Sequence, residues 1–166
     1  MNEGIIQIYY GEGHGKSTAA IGNAIRCASE GKSVIIIQFL KGKNENELAF
    51  LNRLEPEIKI FRFAKSDESF EELSEQEQQE EAMNLRNGFN YGKKVVTTAA
   101  CDMLILDEVL GVIDEKVVTP QEMQELFENK PDDMTLICTG RVLEDSIRPY
   151  ADEIYNIAPE KIRIDE

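Results

Sequence analysis

The chain has 166 residues, which suits about one domain, and its 42% hydrophobic content supports a core, which excludes global disorder. Thirty-two acidic residues against 18 basic ones leave a net charge of −14, the wrong sign for gripping nucleic-acid backbones. No apolar run approaches the roughly 18 residues of a membrane span. Met1 to Gly4 shows no basic or long apolar leader, so no signal peptide is expected. Cys27, Cys101 and Cys138 lie far apart with no CxxC pair, which excludes a disulfide scaffold or standard zinc module and fits a reducing cytoplasm. The single histidine, His14, excludes a multi-histidine metal centre within one chain.

Ile5 to Tyr10 is a short apolar, β-branched run that reads as a buried strand. A glycine-rich turn from Gly11 to Gly15 follows. Lys16 to Ala28 reads as a helix with small residues on one face, and Gly31 is its natural stop. Ser33 to Leu40 is apolar enough for a strand covered on both faces. Glu45 to Leu54 has a helical pattern that Pro56 ends. Ile58 to Phe63 alternates as a half-buried or edge strand does. Asp67 to Glu81 holds eight acidic residues and no Lys or Arg, so the rest of the chain carries only −6. Its composition predicts a solvated helix, with a lid or docking patch as the sharper alternative. The longer segment Glu71 to Ala100 is mostly helical, and Gly88 and Gly92 are expected to bend or divide it. Met103 to Leu106 is a third apolar run, ending in Asp107-Glu108. Thr119-Pro120-Gln121-Glu122 is a helix start with a hydroxyl cap, Pro in the first turn and a glutamate three residues on. Met134 to Cys138 is another strand before Thr139-Gly140-Arg141. Leu143 to Tyr150 is a short helix limited by Pro149, and Ile154 to Ile157 a last strand.

Strands alternating with helices predict an α/β fold with a mainly parallel central sheet in a single domain over residues 1–166. Ligands in such sheets sit at the carboxyl ends of the strands. Three polar clusters fall there: Gly11–Thr18, Asp107-Glu108 and Thr139–Arg141. One shared site is therefore expected.

The first cluster, Gly11-Glu12-Gly13-His14-Gly15-Lys16-Ser17-Thr18, sits between a strand and a helix, the context of a phosphate-binding loop. Glycines let backbone N–H groups converge on an anion, and the helix N-terminus adds its dipole. Lys16 brings a charge to phosphate oxygens, and the Ser17 hydroxyl suits Mg²⁺. The spacing GxGxGKS is one residue tighter than GxxxxGK[ST], which would need glycine where Tyr10 stands. His14 has three readings: a hydrogen bond to phosphate or ribose, a catalytic acid, or an exposed bystander. The apolar strand ending in Asp107-Glu108 resembles a Walker B element, which delivers a carboxylate to the magnesium of a bound nucleotide. Arg141 offers a planar fork for phosphates, with a surface ion pair as the plain alternative. These features predict a P-loop NTPase of RecA-like, three-layer architecture.

The segment GEGHGKSTAAIGNAIRCASEGKSVIIIQFLKGK, followed by MLILDEV, the TPQEM helix and TLICTGR before Ala151-Asp152, resembles the ATP:corrinoid adenosyltransferases of the CobA/BtuR/CobO type. That family also has a GxGxGK[ST]T loop. The resemblance spans about Gly4 to Asp152. It implies transfer of the 5′-deoxyadenosyl group of ATP to the cobalt of a reduced corrinoid, cob(I)alamin or cob(I)yrinic acid a,c-diamide, with release of triphosphate. ATP would lie reversed in the loop relative to ordinary NTPases, its 5′ carbon turned to the corrinoid.

By the same resemblance, Lys16 and Glu108 are the catalytic candidates. Ser17, Asp107 and Glu108 would bind Mg²⁺. The residues from Gly11 to Thr18 (Glu12, Gly13, His14 and Gly15 among them), with Arg26, Lys41 and Arg141, would surround the nucleotide. The family carries an aromatic patch after its third strand that covers the lower face of the corrin. In the corresponding stretch 65–70, Phe70 is the residue suited to that task. A flavoprotein reductase as partner and a cytoplasmic homodimer are also implied. The alternative reading is a P-loop nucleotide hydrolase or nucleotide-binding regulator without corrinoid binding, which Lys16 and Glu108 suit equally.

Overall fold

The structure is a computed structural model that describes residues 3–40 and 50–164. Six strands form one sheet: β1 (Ile6–Tyr10), β2 (Val34–Gln38), β3 (Ile58–Arg62), β4 (Met103–Asp107), β5 (Thr135–Gly140) and β6 (Glu153–Asn156). Their spatial order is β3-β2-β4-β5-β1-β6, and every pairing is parallel. The helices are α1 (Lys16–Ser29), α2 (Glu75–Thr97), α3 (Val109–Asp114) and α4 (Pro120–Glu128).

The central strands β2 and β4 are buried at every position, as their unbroken apolar runs require in a sheet covered on both faces. Side chains alternate between the two faces. Ile36, Ile105 and Ile137 pack toward Ala20, Ala24 and Cys27 of α1. Ile35, Ile37, Leu104, Leu106 and Leu136 pack toward α2, α3 and α4. The result is three layers, with Leu85, Phe89, Val95 and Val96 the buried stripe of α2. Burying each such side chain is worth about 1.5–3 kcal/mol. β3 and β6 are the edges and are only partly covered.

Several expectations change on folding. Gly88 and Gly92 neither bend nor divide their helix, because α2 runs unbroken for 23 residues. They let it approach the sheet: a Cβ on Gly88 would sit 3.1 Å from Phe63 and 3.2 Å from Phe39. The acidic run is helical only from Glu75, where Ser74 accepts the Glu77 N–H at 3.2 Å. Before that it is a loop with a 3₁₀ turn, Phe70–Glu72. Leu143 to Tyr150 contains a 3₁₀ helix, Asp145–Tyr150, with Pro149 inside it. Of the helix expected over Glu45 to Leu54, Phe50 and Leu51 are helical and Asn52–Leu54 is a 3₁₀ turn; the remainder lies outside the described residues. The α4 start forms as expected, with the Thr119 hydroxyl accepting the Glu122 N–H at 3.2 Å.

Because the strands are parallel, their carboxyl ends share one edge of the sheet. Register pairs Tyr10 with Gly140, Leu106 with Cys138, and Gln38 with Asp107. The three polar clusters therefore emerge side by side.

Candidate active site

The chain leaves β1 at Gly11 in a left-handed conformation (φ 128°) that an L side chain rarely adopts. The Gly11 N–H is shared between the carbonyls of Gly140 (3.2 Å) and Arg141 (3.1 Å), and the Gly13 N–H donates to Ile157 O at 2.9 Å. A Cβ on Gly13 would lie 2.7 Å from that carbonyl oxygen, so the loop's path requires glycine there. The Lys16 ammonium is held over the loop by the carbonyls of Gly11 (2.7 Å) and Gly13 (2.9 Å), and only 9% of the residue is exposed. Gly15 caps α1 without a side-chain hydrogen bond, so the first-turn N–H groups point at the space before the helix.

A hydrogen-bonded chain joins the loop to two other strands. The Ser17 hydroxyl donates to Asp107 Oδ1 at 2.7 Å, and the Thr139 hydroxyl donates to the same oxygen at 2.8 Å. Thr139 Oγ1 in turn accepts the Glu108 N–H at 2.8 Å. Asp107 is 2% exposed. Glu108 stands in the left-handed region (φ 65°), an uncommon place for a residue with a side chain and a recurrent mark of functional turns. Among the described residues, no group of three or more His, Cys, Asp or Glu is gathered to hold a metal unaided. A serine hydroxyl touching a buried carboxylate beneath a phosphate loop is instead a hard-oxygen pair. It fits magnesium, which takes one or two protein oxygens and completes its shell with phosphate and water.

Next to the loop opens a cleft of about 660 Å³. Lys16, Glu108 and Arg141 line one side, and Ala64 to Glu71, the strap between β3 and α2, lines another. Phe70 stands on this strap, half-buried against the α2 core. The strap is pinned by Glu81. Its buried carboxylate, 6% exposed, accepts the Lys65 N–H at 2.9 Å, the Ser66 N–H at 2.6 Å and an amide N–H of Asn84 at 3.1 Å. Asp114 and Glu115, at the end of α3, also line it. Burial, then the nearby Glu144, holds the Asp114 carboxyl above its usual range. Burial, then Glu71 and Asp114, does the same for Glu115.

Most of the residues singled out from the sequence are gathered here, and some are not. Glu12 pairs with Arg141 at 3.8 Å, both largely exposed, an ion pair weak enough for a phosphate to displace. His14 and Thr18 are exposed on the loop and the first turn of α1. Arg26 departs from expectation. It lies in the last turn of α1, about 15 Å along the helix from Lys16, and lines a groove with Glu30, Lys32 and Asp102 at the opposite end of the sheet. Lys41 lies outside the described residues. All three cysteines are free and buried. Burial pushes the Cys101 thiol up to about 12 and the other two upward, so none is an activated nucleophile.

One role and one residue escaped the reading of the sequence. Thr139, expected at the site within the Thr139–Arg141 cluster, is fully buried at the end of β5 and bridges Asp107 and Glu108, a role its position alone did not give. Glu81 was hidden in the acidic run. Its spacing to Leu85, Gly88 and Gly92 places it on the buried stripe of α2, which was the available clue.

A family model described as ATP:corrinoid adenosyltransferase BtuR/CobO/CobP matches residues 2–166. The chain belongs to this family. Corrinoid adenosyltransferases of Escherichia coli K12 and Salmonella typhimurium LT2 are 29% and 30% identical to this adenosyltransferase family member over 162 residues, spanning 98% of the chain and 80% of each relative. An uncharacterized Nostoc protein is 27% identical over 146 residues, covering 82% of the chain and 38% of its own length. Among solved structures, flagellar accessory protein FlaH of Methanocaldococcus jannaschii superposes with a TM-score of 0.62 at 18% identity, covering 94% of the chain and 72% of its own. The KaiC-like protein PH0186 of Pyrococcus horikoshii gives 0.62 at 17%, covering 99% and 76%. At such identities these two share the fold, and the RecA-like α/β architecture expected from the sequence is the one observed. No described helix is long and apolar enough to cross a membrane.

Proposed function

We propose that this adenosyltransferase family member, as a single nucleotide-binding domain, moves the 5′-deoxyadenosyl group of ATP onto the cobalt of a reduced corrinoid and releases triphosphate. The observation that carries the reading is the tight loop, wired through Ser17 to Asp107 and opening directly on a ligand-sized cleft. In this reaction the cobalt(I) electron pair forms the Co–C5′ bond as the C5′–O5′ bond breaks, and the triphosphate departs with that bond's electrons. Neither water nor γ-phosphoryl transfer is needed. The enzyme's task is to hold a polyanion whose charge grows in the transition state. The N–H groups of Gly15 and of the first turn of α1, not those of Gly11 and Gly13 that bond Gly140, Arg141 and Ile157, converge on it. Lys16 supplies a cation already positioned by the Gly11 and Gly13 carbonyls, and the Arg141 fork exchanges Glu12 for phosphate oxygens. Magnesium, held by Ser17 and Asp107 with Glu108 beside them, would neutralise further triphosphate charge. Phe70 on the strap offers an apolar face to the corrin. A flavoprotein reductase supplying the electron, and a cytoplasmic homodimer, complete the reading by family resemblance.

Glu108 favours a second reading. It emerges beside the loop, where a nucleotide hydrolase places a carboxylate to orient water. An anaerobic reaction with chemically reduced cob(I)alamin, ATP and Mg²⁺ separates the two. Loss of the cobalt(I) absorbance with adenosylcobalamin and triphosphate formed is expected. ADP and phosphate without adenosylation would establish the hydrolase instead.

A further inference from the structure

One buried polar side chain at the carboxyl edge of the sheet stands outside the wiring of Ser17, Asp107 and Thr139. Gln38 ends β2 and is 4% exposed. Successive side chains of a strand alternate between faces, and Val34 and Ile36 pack toward α1, so Gln38 stands on that face too. Asp107, in register with Gln38 on the neighbouring strand, follows Met103 and Ile105 onto the same face. The Ser17 hydroxyl meets Asp107 there. Adjacent strands lie about 4.8 Å apart, within reach of a glutamine side chain, so the amide is delivered beside the Ser17–Asp107 pair. Among the described residues, none hydrogen-bonds that amide. Its flanks are engaged elsewhere. Asp107 Oδ1 already accepts the hydroxyls of Ser17 and Thr139. On the other side Arg62, in register at the end of β3, donates to Ser66 O at 3.3 Å and pairs with Asp67 at 3.6 Å. A buried amide without a partner is unfavourable in a folded chain, so an amide left open at this edge points to a ligand.

Resting on the reading of the loop as a nucleotide site, we propose that Gln38 is a further binding residue for that nucleotide: its amide N–H groups donate to anionic oxygens of the polyphosphate where it passes the Ser17–Asp107 pair. The chemistry selects an amide, which has two N–H donors and no charge. A carboxylate of the same size would have acceptors alone. It would also set a second anion one strand spacing from Asp107 and against the polyphosphate. An apolar side chain would suit the burial and offer nothing to the ligand. In the nucleotide-free chain the open amide lowers stability, and bound polyphosphate removes that penalty by supplying the acceptors.

Calorimetric titration of ATP with Mg²⁺ into the wild-type chain and into Gln38→Met tests this, together with thermal melts of each chain before ATP is added. Gln38→Met keeps the length and the burial without the amide. It should weaken ATP binding about tenfold, the scale of a lost hydrogen bond to a charged group. It should at the same time raise the melting temperature of the nucleotide-free chain by about 2 °C, because the unmatched amide is gone. Gln38→Leu repeats both measurements should Gln38→Met fold poorly. Gln38→Glu, which keeps the size and removes the donors, should weaken ATP at least as much, and wild-type affinity there overturns the donor role. Wild-type affinity in the apolar variants overturns the proposal as a whole. So does weaker binding accompanied by a lower melting temperature in the apolar variants, which makes the amide part of the fold rather than of the site. ATP that fails to bind the wild-type chain overturns the nucleotide reading of the loop itself, a failure distinct from the others.

Discussion

The nucleotide end and the strap end of the cleft are built in opposite ways. The nucleotide end is made of strand termini. β1, β4 and β5 deliver Gly11, Asp107 and Thr139 to one edge, where Asp107 Oδ1 accepts the Ser17 hydroxyl at 2.7 Å and the Thr139 hydroxyl at 2.8 Å. The strap end is a loop of acidic and small residues with a 3₁₀ turn, and a carboxylate from the helix that follows keeps it on the fold. Rigid strand termini suit a task that tolerates little displacement, the cradling of a polyphosphate. A loop held at a few points, by Glu81, Arg62 and Gln78, suits recognition of a large, variable partner surface.

The contrast is tested most severely at Lys16. Lys16→Ala should abolish measurable ATP binding, lowering turnover by at least about 10²-fold, while the buried core leaves the melting temperature nearly unchanged. Nucleotide titration checks this, and retained binding would remove the loop from the mechanism. Gly13→Ala attacks the same end through the backbone. Its Cβ would meet the Ile157 carbonyl oxygen at 2.7 Å, so the loop must move, and ATP affinity should fall about tenfold or more with corrinoid retention in equilibrium dialysis unaffected.

Glu81→Gln addresses the strap alone. An amide presents one acceptor where the carboxylate presents two, leaving an N–H of Lys65 or Ser66 unmatched. The KM for the corrinoid should rise several-fold, about 3–10-fold, while the ATP dissociation constant stays at the wild-type value. Equal losses for both substrates would mean that the two ends are one mechanical unit.

The smallest effect belongs to Asp114 and Glu115, whose carboxyls are raised in the fold by burial and by neighbouring acids. The fold therefore holds their protons more tightly than the unfolded chain does, and the cost of ionising them appears as pH rises through the folded values. Asp114→Asn/Glu115→Gln should raise the melting temperature by about 1–2 °C at pH 7. The gain should vanish once pH falls below 3.8, the ordinary value for an aspartate, where the wild-type groups are neutral in both states. Thermal melts across that range give the answer, and a gain that grows toward acid would reverse the assigned sign.

Much of the nucleotide end was legible in the chain. The strand, glycine turn and helix of the loop are contiguous, so hydrophobic period and backbone chemistry announce them locally. Asp107-Glu108 and Thr139–Arg141 end apolar runs, and a parallel sheet gathers such ends on one edge. The glycines of α2 were misread because a propensity argument sees the entropy cost of Gly88 and not the Phe39 and Phe63 rings it must clear. Arg26 was grouped with the nucleotide by family resemblance, whereas a helix rising about 1.5 Å per residue carries it to the far end of the sheet.

Local pattern alone thus specified the α/β alternation, the phosphate loop and the residues that meet at the carboxyl edge, since each depends on neighbours within a few residues or on the common direction of parallel strands. Packing in three dimensions set that Thr139 bridges Asp107 and Glu108, that Glu81 clamps a strap fifteen residues upstream, and that acids of the strap and of the end of α3 line one cleft. Those contacts are set by strand order, helix rotation and the depth of packing, which no local pattern encodes.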